Sequence, residues 1–370
     1  MNLSEMNLLW SVIVSAPLIT GMFGSLFSGY FADRYGRKWT LFHCLAIQTV
    51  AGILLISSRW ALSFEMLLVA RLLLGFAGGL ATGVSPMYLT EIAPSNLRGT
   101  MGVLCPMGLS TGVFIAQILG FKLSRLRNLG HKKLLEELVE LNLGIPYQGN
   151  DKRKGFGLLE LLQSHSLRLP LLIVMSMQAG QQLSGINAVF YYSMIIFERA
   201  GLGKFGSEFA SVCAGGVNLA MALVSPWLVG RYTRRGLILI SCYSAATCIL
   251  MLIIIILLID YLWWMPYLSI VAVLAFVFCY GLGLGPLPFF IGAELFEIEP
   301  RPMAMALGSL ANWGGNFLVG VTFPLLQQWL GPWAFATFVL SSLALAEFLK
   351  RKLPETKGLD PIQVSHLFSQ

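Results

Sequence analysis

The chain has 370 residues, of which 56% are hydrophobic and 12% charged, and its mean hydropathy is +0.74. Soluble domains are about 45–50% apolar and about 25% charged, so this composition excludes a soluble globule, a disordered chain and a disulfide framework. The net charge of +7 gathers in short connections between apolar stretches, a pattern that reports membrane orientation and argues against a nucleic-acid partner.

About 20 apolar residues cross a bilayer as a helix. Stretches of that kind run over 8–31, 39–57, 66–89, 99–121, 169–197, 208–229, 236–259, 263–290, 303–328 and 332–349. A membrane β-barrel would alternate every second residue, and runs such as Ile249 to Ile259 do not. The expectation is an all-α polytopic membrane protein with about ten spans in two bundles. Residues 1–121 make a four-span bundle, 122–168 a polar and partly helical linker, 169–353 a six-helix bundle, and 354–370 a cytoplasmic tail. The first apolar stretch is too long for a cleavable signal and has no basic flank before it.

Basic residues follow the first span (Arg34, Arg37, Lys38), the sixth (Arg231, Arg234, Arg235) and the last (Lys350, Arg351, Lys352). The connections around 260–265 and 327–332 carry none. Within the linker, residues 132–141 have helical apolar spacing and predict a short amphipathic helix.

The two halves repeat. Arg34-Tyr35-Gly36-Arg37 matches Arg231-Tyr232-Thr233-Arg234, and the pair Glu91/Arg98 recurs as Glu294/Arg301. Parallel repeats of helical bundles point to a secondary transporter with its site between the halves.

Enzyme and metal signals are poor. The four histidines lie apart from ligand-spaced partners, and the six cysteines all fall within spans, where they act as small hydrophobes. No cofactor, metal or catalytic residue is expected. The spans instead carry amides: Gln117, the run Gln178–Asn187 with Gln181 and Gln182, Asn218, and Asn312 with Asn316. Each alone is equally well read as glue between helices. Together they suit a neutral polyol, because an amide and a hydroxyl are both uncharged donors and acceptors. On a straight helix Gln182 and Asn187 would lie about 140° apart, so a shared site requires a break, and Ser184-Gly185 supplies a place. A second break is expected at Gly281, Gly283, Gly285, Pro286 and Pro288, where a gate can form. Phe289, Phe290 and Trp313 nearby offer faces for a pyranose ring. Arg71 reads as structural, in need of a partner such as Glu91.

These words resemble those of the facilitative glucose transporters, within the sugar porters of the major facilitator superfamily. The carriers of the resemblance are Asp33-Arg34-Tyr35-Gly36-Arg37-Lys38, the stretch from Pro86 to Glu91 with Leu97-Arg98-Gly99, Gln181–Tyr192, Gly285–Pro288, Glu294-Leu295-Phe296, Pro300-Arg301-Pro302, Asn312-Trp313 and Pro354–Gly358. The resemblance implies facilitative hexose uniport by alternating access in a multi-pass protein, of the plasma membrane. It implies that Gln117, Gln181, Gln182, Asn187, Asn218 and Asn316 hydrogen-bond the sugar, and Asn312, beside Asn316 on one face, and Phe289, beside the second break, are expected to join them. Tyr191 and Tyr192, with Gly285, Pro286 and Pro288, would gate. Arg37, Glu91, Arg98, Arg234, Arg235, Glu294 and Arg301 would form a cytoplasmic salt-bridge latch. Phe289 stands where the family usually has tryptophan, and Gly230 and Gly281 stand where it has acids.

The family has twelve spans, and the first and sixth have no counterpart among the ten read here. Four spans before the linker would put it outside if Arg34–Lys38 faces the cytoplasm, so both halves are not expected to keep their arginines on one side. A chain lacking two spans is expected to transport poorly by itself. The alternative is therefore a truncated or splice-variant product acting through a full-length copy. A proton–sugar symporter is a weaker alternative, since no midspan carboxylate is visible.

Overall fold

In hydrocarbon there is no water to satisfy peptide groups, so each apolar stretch must close its hydrogen bonds internally as a helix. The computed structural model describes residues 3–61, 63–94, 101–126, 158–190, 203–259, 261–359 and 361–368, and every regular element within them is helical. In chain order these are α1 (Leu3–Tyr35), α2 (Arg37–Ala61), α3 (Phe64–Ile92), α4 (Leu104–Leu126), α5 (Leu158–Gln163) and α6 (His165–Leu183). There follow α7 (Gly203–Arg231), α8 (Arg234–Leu258), α9 (Met265–Leu282), α10 (Leu287–Leu295), α11 (Arg301–Leu330), a 3-10 turn (Gly331–Phe335), α12 (Ala336–Lys352) and α13 (Pro361–Phe368). Six stretches of the described residues are long and apolar enough to cross a membrane; one of them, Arg301–Lys352, contains both α11 and α12. The all-α polytopic architecture follows.

Helix edges depart from the apolar edges. The fourth stretch ends at 121 in the sequence reading, yet α4 continues through Lys122 and Arg125, and α6 starts four residues before 169. The amphipathic helix expected over 132–141 lies outside the described residues.

Small residues set the closest packing. A Cβ on Gly75 would sit 2.1 Å from the Pro17 carbonyl oxygen, and one on Gly79 2.1 Å from that of Gly21. Only a stripe of small side chains lets α1 and α3 approach so closely. Helix α1 also packs antiparallel to α11, with Gly21 against Trp313 and Gly29 against Pro302. Helices α6 and α11 run parallel, Gly308 meeting Val174 and Gly315 meeting Gln182. Helix α12 returns alongside α6, placing Leu345 on Gly180 and Phe338 on Gly185.

These contacts put Asp33, Arg37 and Glu91 at the same end of the bundle as Glu294, Arg301 and Arg234, here called the charged face. Near it a buried cluster of Ala32, Val84, Met87 and Met305 joins the two halves. Exposed Trp60, Tyr261, Trp263 and Trp329 ring the opposite face, as aromatic residues do at a membrane interface. So both halves do carry their arginine words on one side, contrary to the expectation from counting spans. The mismatch falls on the connection instead. Ser110 lies beside Asn218 and Gln117 beside Gly215, so α4 ends at the face away from Arg231. Val174 packs against Gly292, so α6 begins at the charged face. The described ends that flank 127–157 therefore stand at opposite faces.

Candidate functional site

Two broken helices build the site. Helix α6 stops at Leu183: Ser184 N–H returns to Gly180 O (2.8 Å), Gly185 adopts φ +86°, and helix resumes over 186–190. A positive φ is natural for glycine and costly for a side-chain-bearing residue. The ring of Phe338 leaves no room for a Cβ there either. The break turns Asn187 back toward Gln182, and its Nδ2 donates to Gln182 Oε1 (2.8 Å) and to Asn316 Oδ1 on α11 (3.0 Å). Gln182 Nε2 in turn donates to Asn312 Oδ1 (3.1 Å).

The second break separates α9 from α10 at Gly283–Pro286. Proline removes helical donors, leaving carbonyl groups to be satisfied from elsewhere. Gln181 Nε2 donates to Leu284 O (3.1 Å) and Gly285 O (2.9 Å), and Gln178 Nε2 to Pro288 O (2.8 Å). On the other side, Ser241 accepts from Leu284 N–H (3.0 Å) while donating to Cys279 O (2.7 Å). Asn312 ties both breaks together, its Nδ2 donating to Gln178 Oε1 (3.0 Å) and Gln181 Oε1 (2.6 Å). Gln178 and Gln181 are buried, whereas Asn187, Asn312 and Asn316 are half-buried. None of these hydrogen bonds involves a carboxylate.

Five of the expected ligand residues thus meet in one network: Gln181, Gln182, Asn187, Asn312 and Asn316. Gln117 and Asn218 form a second group on the α4–α7 seam, where Asn218 Nδ2 donates to Ser110 Oγ (3.3 Å). Gln117 Oε1 is buried there without a hydrogen-bond partner. Phe289 is buried within α10. Gly285, Pro286 and Pro288 form the break itself; Tyr191 and Tyr192 lie outside the described residues. Trp313 faces the first half, its Nε1 donating to Thr82 Oγ1 (3.0 Å), which also contacts Ser309 Oγ (2.7 Å).

Ser241 and Thr82 were not among the expected site residues, and Gln178 was read in the amide run without a role of its own. Gln178 was legible, since it shares a helical face with Gln181 and Gln182 at spacings of three and four. Ser241 and Thr82 carried no signal, because lone hydroxyls are common in membrane helices and satisfy themselves locally.

The charged residues form two clusters, one in each half. Arg37 bridges Asp33 (3.1 Å) and Glu91 (3.1 Å). Burial raises the Asp33 carboxyl above its usual range, and the Arg37 charge works against that rise. In the other half Arg234 pairs with Glu294 (3.1 Å), whose second oxygen accepts from Thr356 Oγ1 (2.5 Å). Glu355 accepts from the N–H groups of Arg234 (2.9 Å) and Arg235 (3.2 Å), capping α8. The Arg235 side chain donates to Lys350 O, and Arg301 turns to Phe296 O (3.0 Å). Glu91 is engaged by Arg37, and Arg71 has a buried Nε with no hydrogen-bond partner. Arg98 lies outside the described residues.

Residues 2–146 and 146–368 match the family described as "Sugar (and other) transporter". The chicken (Gallus gallus) facilitated glucose transporter member 1 of solute carrier family 2 is 34% identical over 413 aligned positions, covering 99% of this chain and 84% of the relative. Member 4 from Bos taurus is 35% identical, covering 97% and 79%. In three dimensions the chain is similar to the proton:xylose symporter XylE bound to 6-bromo-6-deoxy-D-glucose. The TM-score is 0.82 at 20% identity, covering 100% of this chain and 91% of that one. With this fold, and with family matches along nearly its whole length, the chain belongs to the sugar transporter family of the major facilitator superfamily, a family of multi-pass membrane transporters and not of enzymes.

Proposed function

We propose that this chain carries a neutral hexose such as glucose by facilitative uniport and alternating access, across the plasma membrane. The observation that carries the reading is the all-amide network on two broken helices. A sugar hydroxyl replacing one amide partner exchanges a neutral hydrogen bond for another, so entry and release are nearly balanced and no charge need move. Gln117, Gln181, Gln182, Asn187, Asn218, Asn312 and Asn316 are the proposed ligands, with Phe289 as an apolar wall. The α6 and α9–α10 breaks, with Tyr191 and Tyr192, are the gate. The Arg37–Glu91 and Arg234–Glu294 clusters, together with Arg98, Arg235 and Arg301, hold the charged face shut. The lack of any carboxylate in the described network favours uniport over proton coupling. Proteoliposomes containing the purified chain should take up D-glucose saturably and without response to an imposed pH gradient. A rate set by that gradient would instead favour symport.

A second reading rests on the connection between the halves. The described ends flanking 127–157 stand at opposite faces, and the match to the chicken relative spans 413 aligned positions against the 370 residues of this chain. Both support a span of the relatives having no counterpart between α4 and α6. On this reading the chain transports poorly alone and acts by associating with a full-length transporter. Absence of saturable uptake by the chain alone, with reduced uptake when it is co-expressed with a full-length relative, would favour it.

A further inference from the structure

The repeated word Arg-Tyr-x-Arg divides its labour in the same way in both halves. The second arginine of each, Arg37 and Arg234, is neutralised by acids. The first, Arg34 and Arg231, is exposed and joins no ion pair among the described residues. Each of these arginines lies on aromatic rings instead. The Arg34 guanidinium is 5.7 Å from the Tyr30 ring centre and 5.6 Å from that of Tyr35, and it donates to the Tyr30 hydroxyl. Arg231 is 5.7 Å from the Trp227 ring, which meets Tyr232 edge-on at 6.2 Å. The correspondence Tyr30/Trp227, Arg34/Arg231 and Tyr35/Tyr232 keeps the offset of the internal repeat. All four aromatic residues are about half exposed.

Their position along the helix identifies what surrounds them. On α1 the exposed residues Ile19, Phe23, Phe27 and Tyr30 form one stripe that ends at Arg34. On α7, Leu223, Val224 and Trp227 lead to Arg231 in the same way. An exposed apolar stripe on a membrane helix faces acyl chains, and the charge one turn beyond it stands at the level of the headgroups. A guanidinium presents a planar fork that matches phosphate, and the rings beneath hold it in place.

We propose that Arg34 and Arg231 are two pseudo-symmetric sites for the phosphate of an anionic phospholipid at the charged face, with the acyl chains lying on the α1 and α7 stripes. A free phosphate shares the headgroup chemistry but gains nothing from the stripes. The site serves the lipid contact of the bundle and is independent of what the amide network carries.

The test uses the purified full chain with phosphatidylglycerol or phosphatidylcholine, counting retained lipids by native mass spectrometry and following thermal unfolding. An arginine near an anionic surface contributes about fivefold in affinity. Each of Arg34→Gln and Arg231→Gln should therefore weaken phosphatidylglycerol binding at its own site by about fivefold and leave the other site intact, and the pair should weaken both sites by about fivefold. Lys352→Gln, which removes an exposed charge elsewhere on the same face, should cost clearly less than either arginine change. Tyr35→Ser with Tyr232→Ser keeps both charges and should still lower retention, which tests the aromatic platform even if the arginine pair folds poorly. Equal phosphatidylglycerol retention in the double arginine variant, or the same loss in Lys352→Gln, overturns the proposal. So does displacement of the lipid by inorganic phosphate at comparable concentration.

Discussion

Replacing Asn312 by alanine tests whether the amide network holds the two helix breaks together. The side chain joins three glutamines. Its Nδ2 serves Gln178 Oε1 and Gln181 Oε1, and its Oδ1 accepts from Gln182 Nε2. Gln178 and Gln181 are 3% and 2% exposed, so their abandoned oxygens have no access to water. A buried polar group left unpaired costs about 1–3 kcal/mol, whereas hydrogen bonds between membrane helices average about 0.6 kcal/mol, because the unfolded reference finds other partners. For two fully buried oxygens these limits bracket a loss of about 1–6 kcal/mol, and the membrane reference places the expected value near the lower end, about 1–3 kcal/mol. Asn316 is the internal control. It accepts one bond, from Asn187, at a half-buried position. Asn316→Ala should therefore cost a fraction of what Asn312→Ala costs. Thermal unfolding of the purified variants in one detergent, followed by tryptophan fluorescence, ranks them directly. An Asn312→Ala protein as stable as wild type, or no less stable than Asn316→Ala, would refute the assignment of the network as the tie between the breaks.

Gln117→Leu should leave the unfolding midpoint unchanged or raise it, because the buried Oε1 has no partner to lose, while sugar uptake falls at least tenfold; a clear drop in stability would instead make Gln117 structural. Gly79→Val should lower the folded yield sharply, since its Cβ would meet the Gly21 carbonyl at 2.1 Å and α1 cannot retreat without opening the seam with α11; normal yield would contradict the close crossing. Glu355→Ala removes the acceptor of the Arg234 and Arg235 N–H groups, at a cost of about 0.5–2 kcal/mol by the usual worth of such caps. Hydrogen exchange should quicken in the first turn of α8 and leave the first turn of α3, capped by Ser63, unaffected.

The fold was legible where composition acts alone. Bilayer solvation demands internal hydrogen bonding from every apolar stretch, so the helices follow from hydropathy. The break at Ser184-Gly185 was legible because Gln182 and Asn187 share a site only if the helix turns there. The partners that satisfy the α9–α10 break were not legible. Which of several amides reaches Leu284, Gly285 or Pro288 depends on the parallel approach of α6 to α11, and that approach rests on Gly308 and Gly315 lying against Val174 and Gln182. The reversed expectation for the arginine words has the same origin. Counting spans assumes that each connection returns to the face where the next helix begins, a rule about loops. The antiparallel seam of α1 and α11 is a packing constraint between residues far apart in sequence, and it places both words on one face without reference to the connection.

That difference bears on how the molecule works. Gln178 and Gln181 donate to backbone carbonyls of the α9–α10 break and accept from Asn312. They therefore hold the break, and Gln181, unlike the other proposed ligands on α6, would meet a sugar while bonded to backbone carbonyls. Gln182, Asn187 and Asn316 bond one another side chain to side chain along the α6 break, and such bonds can be exchanged for sugar hydroxyls without unpicking backbone. Asn312 touches both sets. A ligand that draws Gln182 away from Asn312 Oδ1 changes the orientation of the amide whose Nδ2 holds Gln178 and Gln181. On the proposed reading, sugar binding at the exchangeable amides would thereby be coupled to the geometry of the second break through Asn312. On that reading these amides are unequal ligands: Gln182, Asn187 and Asn316 exchange partners most freely, Gln181 with Gln178 also braces the second break, and Asn312 would convey occupancy from the first set to the second.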